Sequence, residues 1–200
     1  MTAVDLSPTG VRRWTSRVPR DVLLLVAGAL LALAVEEFRD ARHRRTRERE
    51  SVASIRNELR ANVALVTSAR AHHAFLVDTL EKLALKKQLP SKQIYMNGMF
   101  NPGLVTDVAW TLARESGALS DVPLATLLTV AGAYASQGRY RQLTDQMSAD
   151  ILEQARRDGL DATLRDNFTQ FISLDTDFRN REGGLLEKYR AALDALDHLR

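Results

Sequence analysis

Apolar and polar positions alternate with a helical period along most of the chain. From Val52 the apolar residues recur at spacings of three and four: Val52, Ile55, Leu59, Asn62, Val66, Ala69, His73, Leu76, Leu80, Leu83 and Lys87. Only Asn62, His73 and Lys87 interrupt this seam, and Val63, Leu65 and Val77 broaden it into the stripe of a helix packed in a bundle. No Gly or Pro occurs from Ala29 to Leu89, so one helix is predicted to run from an N-terminal apolar segment to a stop before Pro90. The stretch from Gln88 to Gly103 holds two prolines, two glycines and an Asn-Gly step, which predicts a loop with a short extended piece at Ile94-Tyr95. Its apolar residues Tyr95, Met96, Met99 and Phe100 are expected to cover one end of the bundle.

A short helix should follow, begun by Thr106 or Asp107 and ended by a left-handed Gly117. Another should run from a cap at Ser120 or Asp121, with Pro123 in its first turn, toward Gly159, and Gly138 is a candidate kink. A second seam, Leu164, Phe168, Phe171, Asp175, Phe178, Glu182, Leu185, Tyr189, Ala192, Leu196 and Leu199, keeps its phase across Gly183-Gly184. That phase predicts one helix from about Asp161 to the C-terminus. The fold class is thus all-α: an N-terminal membrane helix continuing into a long stalk helix, packed with two central helices and a long C-terminal helix as a bundle.

The membrane expectation rests on Val22 to Val35, 14 residues without a polar or charged side chain. At about 1.5 Å per residue they cover about 21 Å of a roughly 30 Å hydrocarbon layer, so a snorkelling Arg20, Phe38 at one interface and Trp14 near the other are needed to complete a span. Arg39, Arg42, Arg44, Arg45, Arg47 and Arg49 follow at once, as in a stop-transfer segment that fixes topology and meets anionic lipid headgroups. The organisation expected is a short N-terminal tail over 1–19, a transmembrane helix over 20–38, a basic juxtamembrane helix over 39–51 and a helical bundle over 52–200. It would be single-pass in the inner (cytoplasmic) membrane with the C-terminal domain cytoplasmic. The alternative is a cleaved signal, with Ala32-Leu33-Ala34 as the cut site and a soluble exported helical protein as the product.

Charge supports a division of the chain. The first hundred residues hold 17 Lys and Arg against 10 Asp and Glu, and the second hundred 11 against 15, so a basic first helix should pack favourably on an acidic last one. The basic excess sits beside the apolar run and not on a folded reader with aromatic stacking partners, which argues against nucleic acid as a partner. Cysteine is absent, and with it disulfides and thiolate chemistry.

Candidate chemistry is sparse. His72 and His73 diverge by about 100° on a helix and cannot grip one metal together, so His73 is read as a seam residue. Asn62 is read with it as a polar seam position that fixes register or partner number, and Asp175 and Glu182 are expected to pair with Arg or Lys of a neighbouring helix. Trp110 is read as the anchor of the bundle core. No phosphate loop, zinc motif or nucleophile elbow occurs, so no catalytic or metal-ligating residue, no cofactor and no enzymatic activity are assigned. The expected function is a membrane-anchored interaction or scaffold module that meets a protein partner or a second copy through its seam. The competing class is a ligand-sensing helical bundle outside the cytoplasm.

The stretch "FNPGLVTDVAWTLARESGALSDVPLATLLTVAGAYASQ", with Ala109-Trp110, Ser116-Gly117 and Tyr134 in that order behind a short span and a long charged helix, resembles an uncharacterised bacterial family of small single-pass membrane proteins. The resemblance covers most of the chain. Where that family has Trp or Asn just after the span, this chain has Glu36, Glu37 and Phe38. It implies an integral membrane protein with an α-helical domain of unknown function, and it supplies no catalytic residues.

Overall fold

A computed structural model describes residues 20–95 and 103–199. Among them the chain is all-helical: α1 Arg20–Leu85, a 3-10 turn Lys92–Tyr95, α2 Val108–Glu115, α3 Leu124–Asp158, α4 Leu160–Asp166 and α5 Phe168–Asp197. The chain divides into two compact units, Met1–Arg45 and Thr46–Arg200.

In the second unit the seam of α1 faces inward, with Val52, Ile55, Leu59, Asn62, Val66, Ala69, His73, Leu76 and Leu80 all buried. Each full-sized apolar member removed from water contributes roughly 1.5–3 kcal/mol, which holds a helix of modest propensity in place. The seam ends there: Leu83 is half-buried and Lys87, past the helix end, is exposed at φ 54°. Hydrogen bonds give the topology. Residues 58 and 62 of α1 meet 134 and 137 of α3, so these two helices run parallel. Arg56 meets Leu196 and Asp197 while His73 meets Glu182, so α5 runs antiparallel to α1.

Local chemistry explains the boundaries. The Ala118 amide donates to the Ala113 carbonyl and Gly117 turns left-handed at φ 69°, closing α2 with the wrapped C-terminal motif that glycine favours. Pro123 is the residue before α3, not within its first turn, and α3 continues through Gly138 without a break. The predicted extended piece at Ile94-Tyr95 is a 3-10 turn. Its Tyr95 ring meets Phe171 edge-on; Met96, Met99 and Phe100 lie outside the described residues. The predicted single C-terminal helix is two, α4 and α5, parted at Asn167. There the backbone leaves helical geometry (φ −106°, ψ 16°) and both the amide and the side chain of Asn167 donate to the Thr163 carbonyl. Helix α5 crosses Gly183-Gly184 intact, as the unbroken seam predicts.

The membrane expectation is corrected. Among the described residues no helix is long and apolar enough to cross a membrane, which overturns the transmembrane helix over 20–38, the single-pass description and the inner-membrane localisation. The physical reason is length: the apolar run is 14 residues, bounded by Arg20-Asp21 and Glu36-Glu37, and falls about 9 Å short of the hydrocarbon layer. The tail over 1–19, with Trp14, lies outside the described residues, and Ala32-Leu33-Ala34 lies inside α1.

Candidate functional site

Two polar clusters occupy the second unit, each anchored on a buried seam residue of α1, Asn62 in one and His73 in the other. The first begins at Gly103. A Cβ there would stand 2.9 Å from the backbone and Cβ of Leu65, so only glycine lets the chain cross α1 this closely. The crossing lays Thr106 on Asn62, whose side chain accepts the Thr106 amide (3.0 Å) and donates to the Thr106 carbonyl (2.7 Å). Gln137 of α3 donates to the same carbonyl and accepts from both Asn62 and the Tyr189 hydroxyl. One turn earlier on α1, the half-buried Glu58 carboxylate accepts the amides of Ala109 (2.9 Å) and Trp110 (3.4 Å), together with the Tyr134 hydroxyl (2.6 Å). Asp107, the residue before α2, makes no side-chain cap. Glu58 therefore caps α2 from another helix, and its charge lies at the positive end of the helix dipole. Burial, and then the Glu58 bond, hold the Tyr134 hydroxyl well above its ordinary pKa. The Trp110 ring stacks on Tyr134 at 5.4 Å, half-buried against the core.

The second cluster is ionisable. His73 (0% exposed) approaches Glu182 (0%) with Nδ1 at 2.9 and 3.1 Å from the two carboxylate oxygens, and the Tyr140 hydroxyl donates to the same carboxylate at 2.7 Å. A carboxylate can only accept, which assigns the Nδ1 proton to His73. The ring stacks on Phe178 at 5.2 Å. Two turns before Glu182 on α5 lies Asp175 (1% exposed), neither of whose carboxylate oxygens has a hydrogen-bond partner. His73 Nε2 and the Tyr95 hydroxyl are likewise buried without one. Burial pushes the Asp175 carboxyl from 3.8 up to about 7, with nearby His73 pulling it down and Glu182 pushing it further up. Burial, then Asp175, raise the Tyr95 hydroxyl; burial, then Glu182, raise that of Tyr140.

This arrangement can hold or release a proton near neutral pH. It offers a substrate little, since its acids and its imidazole are sealed from solvent. Among the described residues no three His, Asp or Glu side chains converge as a metal site requires.

The residues singled out by sequence fall in three places. Arg39, Arg42, Arg44, Arg45, Arg47 and Arg49 are all exposed on α1. Asn62 and His73 are buried in the seam, but in separate clusters; the Asn62 amide and His73 Nδ1 bond to groups of the same chain. Trp110 lies at the capped end of α2. The expected Arg or Lys partners of Asp175 and Glu182 are replaced by His73 and Tyr140 at Glu182 and by no hydrogen bond at Asp175. Glu58 and Gln137 are not marked by the sequence. Glu58 lies one residue before seam position Leu59 and reads as a solvent-facing charge, so no local signal points to its role. Comparison with protein-family models, curated proteins and solved structures gave no match.

Proposed function

We propose that the chain is a helical interaction module whose α1 pairs, through its apolar stretch from Leu24 to Phe38, with the same stretch of a second copy. The observation that carries this reading is exposure. Leu24, Leu25, Val26, Leu30, Leu31, Leu33, Val35 and Phe38 are each 47–74% exposed, and they lie on all sides of the helix. A helix apolar all round is ordinarily buried, so this one calls for a cover. Association costs roughly 4–15 kcal/mol in lost freedom, more than two or three leucines return at roughly 1.5–3 kcal/mol each; a pair covers only the facing side of each helix, and about four such side chains on each copy return roughly 12–24 kcal/mol. Gly28 and Ala32, one turn apart, admit a close helix approach. An antiparallel pair sets the two runs of six arginines at opposite ends, where they do not repel. The seam is a weaker candidate, because Asn62 and His73 bond within their own chain.

Sedimentation of the full chain in aqueous buffer tests the reading. A concentration-dependent dimer is expected, and Leu24→Gln with Leu31→Gln should lower its affinity at least tenfold. Because the chain has no native Cys, single introduced cysteines report the geometry: Leu31→Cys, at the centre of the stretch, should crosslink and Arg47→Cys should not. A monomeric mass at all concentrations, or a dimer indifferent to the two glutamines, would overturn the proposal.

A further inference from the structure

We propose that the groove between α3 and α5 around Ser136 binds a phosphate group. A cavity of about 190 Å³ opens there, with Tyr140 and Leu185, both buried, at its floor. Ser136 and Arg139 are contributed by α3, and Arg181, Gly184 and Lys188, spaced three and four apart on one face, by α5. Two of the cations converge on a single neutral atom. Lys188 Nζ donates to the Ser136 hydroxyl oxygen at 2.7 Å and Arg139 Nη2 donates to it at 3.0 Å, while that hydroxyl's proton goes back to the Gly132 carbonyl at 3.0 Å. The two positive charges are therefore no more than about 6 Å apart. Neither forms an ion pair among the described residues, whereas Arg181, the third cation of the groove, is held by Asp177 at 2.6 Å.

Like charges brought onto one hydroxyl repel, and a multiply charged oxyanion placed between them turns that repulsion into attraction. Arg supplies a fork matched to phosphate oxygens, Lys a compact charge, and Ser136 a hydroxyl that can turn its proton outward. Gly184 leaves the wall open, with no atom within 4 Å of where a Cβ would stand. The shared chemistry is a phosphate dianion, either free phosphate or a small phosphomonoester. The site is independent of the self-association proposed above.

The full chain, labelled with nitrogen-15, is titrated at pH 7.5 with inorganic phosphate and, separately, with glycerol phosphate, each against sodium chloride of equal ionic strength. Saturable shifts of the Ser136 and Gly184 amides are expected with at least one of the two. Tighter binding of the ester identifies a phosphomonoester as the ligand, and equal or tighter binding of phosphate identifies the free ion; either supports the site. Arg139→Gln with Lys188→Gln should raise the dissociation constant at least tenfold with the helical circular dichroism unchanged. Arg157→Gln with Arg165→Gln, which removes the same charge outside the groove, should change it less than twofold. Shifts no larger than those in chloride, or equal losses in the two double variants, would overturn the proposal.

Discussion

Replacing Asp175 by Asn removes one buried ionisable group while keeping its shape, and the effect should depend on pH in a defined direction. Asp175 is 1% exposed, has no hydrogen-bond partner, and its carboxyl is pushed from 3.8 up to about 7. The folded state thus holds this proton more tightly than the unfolded chain does. The associated stability is fully present below about pH 4 and is lost as pH rises through about 7. Each unit of difference is worth about 1.4 kcal/mol, so the loss across that window is about 4 kcal/mol at most, and relaxation around the site lowers it to roughly 2–4 kcal/mol. The charged groups that modulate it are His73 of α1, which lowers it, and Glu182 of the same helix, which raises it. Urea unfolding followed by circular dichroism between pH 4.5 and 8.5 should show the Asn variant gaining on the parent by that amount as pH rises, with the difference levelling off above about pH 8. Parallel pH profiles for parent and variant would refute the reasoning, since they would mean that Asp175 titrates alike in the folded and unfolded chain.

Glu58→Ala removes the cap of α2 and leaves the Tyr134 hydroxyl without its acceptor. A loss of about 2–3 kcal/mol in urea unfolding is expected, with faster hydrogen exchange at the amides of Ala109 and Trp110 than at the α5 seam. Asn62→Leu strands the Thr106 amide and deprives Gln137 of a donor, so it should destabilise by about 2–4 kcal/mol; a stabilised variant would show that the seam prefers an apolar residue there.

Much of the fold is legible in the sequence because its main driving force, burial of a continuous stripe, is periodic. Val52 to Leu80 and Phe171 to Leu196 follow the spacing and are buried or half-buried throughout. The departures have local or long-range causes that a period does not carry. The break at Asn167 depends on bonds to one carbonyl and leaves the phase of the stripe intact, so periodicity does not reveal it. Leu83 and Lys87 keep the spacing but lie where the helix runs out. Glu58 acquires its role from amides about 50 residues away. Asp175 and Glu182 fall at seam positions, which marks them as buried, but which groups face them depends on how α1 and α3 dock. The apolar run after Asp21 has the hydrophobicity and the flanking arginines of a span, whereas its length decides the outcome.

The antiparallel docking of α1 on α5 carries a consequence for the order of assembly. Tyr140 reaches Glu182 across 42 residues, while Arg56 reaches Leu196 across 140. Closing the longer loop costs about 1 kcal/mol more in chain entropy than closing the shorter one or the 44-residue contact of Asn62 with Thr106, so the docking of α1 on α5 is the step expected to come last. Until that docking, Asp175 stands on the open face of α5 and keeps its water. The final step therefore takes the Asp175 carboxyl out of solvent, which makes it the proton-linked stage of folding, and the reverse step, release of α5 from α1, the opening that rising pH favours.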